Sequence, residues 1–197
     1  MMSIVDRVSA HFAESIEAKK QCQDILPEAV AEGVQLMVNT LMMEGKLLAC
    51  GNGGSAADAQ HFAAEMVGRF EQERPGLAAI SLATDTSALT AIGNDYEFDL
   101  IFSKQVRALG KENDVLLAIS TSGNSANVVE AVKAAHEKGM KVIALTGKDG
   151  GKIAALLNGD DVLLNVPHPR TARVQEIHIL LIHALCDGVD YMLLGAD

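Results

Sequence analysis

His61 and Glu65 stand four residues apart in the stretch KLLACGNGGSAADAQHFAAEMVGRF, which runs from Lys46 to Phe70. On a helix that spacing places an imidazole and a carboxylate on one face, where they can share a metal ion or work as a proton-transfer pair. Just ahead of them lies a glycine-rich turn, Gly51, Asn52, Gly53 and Gly54. Without Cβ atoms the chain can turn sharply and approach a ligand, and the first amides of the following helix point outward unpaired. Such a helix end favours an anion of phosphate size. Ser55 can cap the helix or hydrogen-bond the same anion. A second cluster, Ser120, Thr121, Ser122, Gly123, Asn124 and Ser125, carries four hydroxyls in six residues, more than a helix cap needs. Hydroxyls packed around a glycine at a helix start offer side-chain and backbone donors to a phosphate.

These groups need strands and helices to hold them. Leu47 to Cys50 is a short apolar run of the kind shown by a strand buried on both faces, and Gly51 ends it. Four more such strands are predicted, at 77–83, 114–120, 141–147 and 161–167. A helical region broken near Gly93 follows the first of these, and a helix from about Ala126 to Lys138 follows the hydroxyl loop. Asp85, Asn94 and Asp95 are placed where the broken region turns; such polar residues serve turns or bind sugar hydroxyls. Alternating strands and helices predict a doubly wound, five-stranded parallel sheet in an α/β domain. Ahead of the sheet, Ile4, Val8, Phe12 and Ile16 recur every four residues in an amphipathic helix from Ser3 to about Asp24. Pro27 suits the first turn of a second helix running to about Glu44. The domain therefore divides into a helical segment, 1–45, and an α/β core, 46–197. The helices serve either as an oligomer contact or as cover for the domain's own core.

Composition narrows the classes. The 197 residues suit one domain; 49% are apolar and only 4% aromatic, which implies a close-packed aliphatic interior. A formal charge of −10 argues against nucleic acid as a direct partner. No apolar run reads as a membrane span and the first residues lack a signal pattern, so a cytoplasmic protein is expected. Cys22, Cys50 and Cys186 read as buried thiols. GNGGSA also fits a dinucleotide fingerprint, but the acid expected about 20 residues on, at a strand end, is missing: Glu71 and Glu73 precede Pro75 in a polar loop and Asp85 comes too late. There is no G-x-x-x-x-G-K-[ST] motif, and an uncharged hydroxyl loop suits a sugar phosphate better than a triphosphate with its Mg²⁺.

CGNGGSA, STSGNS and a late QEIHILLIH segment, in that order, resemble the sugar isomerase (SIS) domain in its phosphoheptose isomerase branch, from about Lys46 to His183. The resemblance implies a cytoplasmic homotetramer that makes heptose for the lipopolysaccharide core by converting D-sedoheptulose 7-phosphate to D-glycero-D-manno-heptose 7-phosphate. It puts substrate contacts on Asn52, Gly53, Gly54, Asn94, Asp95, Ser120, Thr121, Ser122, Ser125 and Gln175, and a zinc ion on His61, Glu65, Gln175 and His183. Zinc takes imidazole and carboxylate readily and a Gln oxygen less well. Gln175 and His183 are separated by about 12 Å along one helix. Spacing alone pairs Gln175 with His178 instead, so His178 stands as the alternative ligand. The implied chemistry proceeds through an enediolate. Glu65 is then the general base at carbon, and His183 the acid or base on the opposite side. A zinc-bound carboxylate is a weaker base, so Glu65 is expected to hold the metal at rest and act once substrate displaces it.

Other segments, HFAESI, FEQERP, SALTAIGND, KQVRALG and LCDGVD, resemble the DnaA initiator-associating regulators, which carry this domain without catalysis and bind DnaA. A base and an acid facing a sugar-phosphate crevice are not needed for that role, and both are present here. A sugar-phosphate-sensing or amidotransferase reading finds no glutaminase, DNA-binding or second SIS segment to support it. His136 and His168 are expected at surface and loop positions.

Overall fold

The computed structural model describes residues 2–195. Five parallel strands, β1 (Leu47–Gly51), β2 (Ala79–Ser81), β3 (Val115–Ser120), β4 (Lys141–Gly147) and β5 (Val162–Val166), form one sheet in the order β2-β1-β3-β4-β5. Alternate residues of each strand face opposite sides, and both sides are covered. Leu47, Ala49, Val115 and Leu117 join the core beneath α2 (Pro27–Met42), α3 (Gly54–Val67) and α8 (Thr171–Leu194). Leu48, Cys50, Leu116 and Ala118 join the core beneath α5 (Ser103–Leu109), α6 (Ala126–Glu137) and α7 (Gly151–Leu156). The order reverses between β1 and β3, which are paired in register from Leu47↔Val115 to Gly51↔Ile119. In an open α/β sheet that switch point, beyond the carboxyl ends, is where ligands bind.

The first helix, α1 (Ile4–Ile25), starts in a capping box: Ser3 Oγ accepts from the Asp6 amide while Asp6 Oδ2 accepts from the Ser3 amide. Its apolar stripe does not enter the core. Ile4 (72%) and Phe12 (69%) are exposed, whereas Ala18 and Cys22 are buried. Its neighbour α2, opened by Pro27, does cover the core through Gly33, Val34, Met37 and Val38. Of the two helices, α2 takes the covering role, while α1 leaves its apolar stripe exposed.

Three expectations need correction. Gly93 lies inside α4 (Thr86–Asp95), and the break comes at Tyr96, before a 3-10 turn at Phe98–Leu100. Asn94 and Asp95 are therefore the last residues of a helix. The strand predicted at 77–83 shortens to the edge strand Ala79–Ser81: Leu77 and Ala78 remain loop, and the chain turns at Leu82 and Ala83. Finally α8, with 24 residues and a mean hydropathy of 1.5 over its most apolar window, is long and apolar enough to cross a membrane. Its buried side, including Val174, Ile177, Ile182 and Leu185, packs on the core of this domain instead. Cys22, Cys50 and Cys186 are buried free thiols.

Candidate active site

The two turns predicted to hold an anion end adjacent strands. At the end of β1, a Cβ on Gly51 would lie 2.6 Å from the Ser55 carbonyl oxygen, so the chain folds back only because glycine stands there. Gly53 has φ 55° and is the N-cap of α3, with no side-chain cap. The capping role considered for Ser55 is thus corrected: Ser55 is a buried residue of the first helical turn. At the end of β3, Gly123 has φ 64° and a Cβ there would lie 1.9 Å from the Gly150 carbonyl oxygen. Ser120 Oγ and Ser125 Oγ are 2.9 Å apart, and Ser122 Oγ accepts from the Asn124 amide. Ser125 is the N-cap of α6, yet its side chain caps nothing. Hydroxyl groups and two helix N-termini therefore face the same open end of the sheet.

The turns are tied together by a pair that the sequence reading missed. Asn52 Nδ2 donates to Asn127 Oδ1 and Asn127 Nδ2 donates to Asn52 Oδ1, both at 2.8 Å. Asn127 is buried among the alanines and valines of α6. An amide side chain beside Val128 and Val129, in the first turn of the predicted helix, was the available signal.

His61 and Glu65 lie farther along α3, with His61 Nε2 3.0 Å from Glu65 Oε1. His183 on α8 brings its Nε2 to 3.1 Å from His61 Nε2. The imidazole rings are tilted with centroids 5.1 Å apart, and Phe70 lies 5.5 Å from the His183 ring. Two imidazoles and a carboxylate therefore turn toward one another across two helices. His61 is hydrogen-bonded to His183 and lies close to Glu65, and among the described residues no group of three His, Cys, Asp or Glu is arranged to hold a metal. The donor types nonetheless suit zinc, which accepts nitrogen and carboxylate oxygen.

Gln175 sits elsewhere. A Cβ added to Gly54 would lie 2.3 Å from Gln175 Nε2, so its amide lies against the glycine turn, about 12 Å before His183 along α8. Gln175 meets the start of α3 and His183 meets its middle, so the two helices run side by side in the same direction. His178 faces the other way. It is fully buried, its Nε2 donates to the Thr146 carbonyl at 2.9 Å, and its Nδ1 has no partner. Burial pushes its pKa down to about 4, against a smaller rise from the Thr146 hydrogen bond. The alternative ligand His178 is therefore corrected to a core histidine; three residues from Gln175, it turns into the sheet.

Asn94 and Asp95 are exposed at the end of α4, hydrogen-bonded to each other at 2.9 Å. They lie roughly 13 Å along that helix from its start near the carboxyl end of β2, and no hydrogen bond joins them to the turns among the described residues. Asp58, one turn before His61, was also missed. Its Oδ2 is buried without a partner, and burial raises its pKa, with the charge of His61 opposing. Elsewhere His136 Nε2 pairs with Asp161 at 2.8 Å, and His168 Nδ1 accepts from the Arg170 amide.

Residues 10–147 match the SIS domain family. The chain is 69% identical over 196 residues to the phosphoheptose isomerase of Laribacter hongkongensis, covering 100% of both. It is 71% identical over 194 residues to that of Neisseria gonorrhoeae, covering 98% of both. The solved structure of phosphoheptose isomerase GmhA from Neisseria gonorrhoeae superposes with a TM-score of 0.92 at 69% identity, covering 95% of this chain and 99% of that one. A phosphoheptose isomerase from Francisella tularensis gives 0.93 at 48% identity, covering 96% of this chain and 99% of that one. The chain belongs to the SIS domain family, in its phosphoheptose isomerase branch.

Proposed function

We propose that this isomerase converts D-sedoheptulose 7-phosphate to D-glycero-D-manno-heptose 7-phosphate, in the cytoplasm, for the heptose of the lipopolysaccharide core. The observation that carries the reading is the meeting of Glu65, His61 and His183 beside two turns built for an anion. Full-length similarity to phosphoheptose isomerases favours it over the DnaA-binding regulator.

In this reading the phosphate rests on the α3 and α6 helix starts and on Ser120, Thr121, Ser122 and Ser125. Asn52, Gly53, Gly54, Ser55 and Gln175 line the adjoining wall; Asn94 and Asp95, exposed on α4, complete the proposed contact set. Glu65 takes the proton from C1 of the ketose, the electrons form the C1–C2 double bond of an enediolate, and Glu65 returns the proton to C2. On the opposite side His183 moves a proton from O1 to O2, so the aldehyde forms at C1 and the hydroxyl at C2. His61, within hydrogen-bond reach of both groups, holds them in place. His61, Glu65 and His183 would hold zinc, and Gln175, the weaker donor, would join them only by turning its amide away from Gly54. When bound, zinc supplies polarisation of the carbonyl and stabilisation of the developing oxyanion.

The exposed stripe Ile4, Val8, Phe12 and Ile16 supports α1 as the contact of a homotetramer, since an apolar face of that kind marks an interaction surface. The test is turnover of sedoheptulose 7-phosphate by protein stripped of metal and then resupplied with zinc, with light scattering to give the assembly. Turnover restored by zinc in a tetramer is the expected result. No turnover under either condition removes the isomerase assignment, and turnover indifferent to zinc removes the metal.

A further inference from the structure

A polar bridge lies at the far end of the same two helices. Arg74, in the loop after α3, and Asp190, on α8, are almost completely buried, with side chains 1% and 5% exposed, and Arg74 Nε donates to Asp190 Oδ1 at 2.5 Å. The guanidinium spends its other donors on the end of α3. Nη2 donates to the Glu65 carbonyl at 2.9 Å and Nη1 to the Met66 carbonyl at 2.9 Å, with longer contacts to Gly68 and Pro75. The last carbonyls of a helix have no partner within it, and a planar fork of five N–H donors suits them. One side chain therefore holds the backbone of Glu65 and, through Asp190, grips α8 seven residues beyond His183.

The position is telling because α3 and α8 meet in three steps: Gln175 at Gly54, His183 at His61, and Asp190 with Arg74 at the Glu65 and Met66 carbonyls. The middle step carries the groups assigned to proton transfer, and the outer two fix how far apart they stand. A well-packed apolar pair would fill the same space without the cost of burying two charges. It would not hold the Glu65 carbonyl. Asp190 Oδ2 lacks a hydrogen-bond partner, so the pair is not optimised for its own sake.

We propose that Arg74 and Asp190 are positioning residues, a clamp that sets the separation of Glu65 from His183 without touching substrate. This rests on the isomerase reading above for its kinetic consequence. A misplacement on the order of 1 Å at reacting groups costs up to about a hundredfold in rate. Asp190→Asn keeps the shape and removes the charge; it should lower kcat by about tenfold to a hundredfold while KM stays within about twofold, because the anion turns on β1 and β3 are untouched. Asp190→Glu, which keeps the ion pair, should recover most of kcat. The paired variant Arg74→Met with Asp190→Leu should regain thermal stability but not kcat. Wild-type kcat in Asp190→Asn, or its return in the apolar pair along with stability, would overturn the clamp.

A second readout does not need turnover. The imidazole 1H–15N signals of His61 and His183 should both move in Asp190→Asn and return in Asp190→Glu; signals indifferent to Asp190→Asn would also overturn it. A wild-type chain that fails on sedoheptulose 7-phosphate while its imidazole signals respond as stated removes the substrate assignment and leaves the clamp standing.

Discussion

The two halves of the site are built by different means. The half proposed to hold the anion consists of short turns, each following its own strand and opening its own helix. Their separation is set by the backbone pairing of β1 with β3, from Leu47↔Val115 to Gly51↔Ile119. The half proposed for proton transfer lies between α3 and α8, where His61 and His183 are 122 residues apart and meet only through side chains. Strand ladders hold register with repeated hydrogen bonds, whereas helix spacing rests on packing and on a few bridging groups. The first half should therefore set binding and tolerate small changes, and the second should set rate and be easily spoiled.

The largest expected effect is on the helix half. Glu65→Gln keeps the size and removes the base, so kcat should fall by roughly a hundredfold to ten-thousandfold with KM little changed. An unchanged kcat in steady-state assays would remove Glu65 as the base and, with it, the division of labour.

The next effect follows from how α8 is fastened to the sheet. His178 donates to the Thr146 carbonyl, and its pKa is about 4 when folded against an ordinary 6.5. Between those values the unfolded chain takes up a proton that the folded chain refuses. Stability from this group is then full above about pH 6.5 and is lost as pH falls toward about 4, for a total of roughly 3 kcal/mol. Denaturant titrations at several pH values measure it. A His178→Phe variant with the same slope through that window would show that another group is responsible.

On the turn half, Ser120→Ala or Ser125→Ala removes one donor to the phosphate. A hydrogen bond to a charged group is worth about 1.5–3 kcal/mol, so KM should rise by about tenfold or more while kcat holds. A kcat loss with KM unchanged would reverse the comparison. The smallest effect is expected where the halves touch. Gly54→Ala pushes on the flexible end of Gln175 rather than on backbone, so stability should change by less than about 1 kcal/mol while turnover falls a few-fold. Thermal melts and steady-state kinetics on the same preparation separate the two.

This contrast also explains what could be read from the chain in advance. Strands, their order of appearance, the glycine turns and the hydroxyl loop follow from local patterns: runs of Leu, Ile, Val and Ala, then Gly or Ser, then a helix. His61 and Glu65 were legible as a pair because four residues on a helix is itself a geometry. Where local pattern ran out, so did the reading. Nothing in the spacing of Gln175, His178 and His183 tells which side of α8 is buried, and only the packed helix turns His178 into the sheet. Asn127, Asp58 and the Arg74–Asp190 bridge gave no periodic signal, and each acquires its meaning from a partner on another element or from burial.

The α/β class, the glycine and hydroxyl turns and the pairing of an imidazole with a carboxylate were legible in the amino-acid sequence, because each depends on neighbours a few residues apart. The tertiary structure alone decided that α1 leaves its apolar stripe outside while α2 covers the core. It also decided that His183 rather than His178 faces His61, and that an arginine from a loop reaches the carbonyl of Glu65. Those are distances between segments far apart in the chain, and packing sets them.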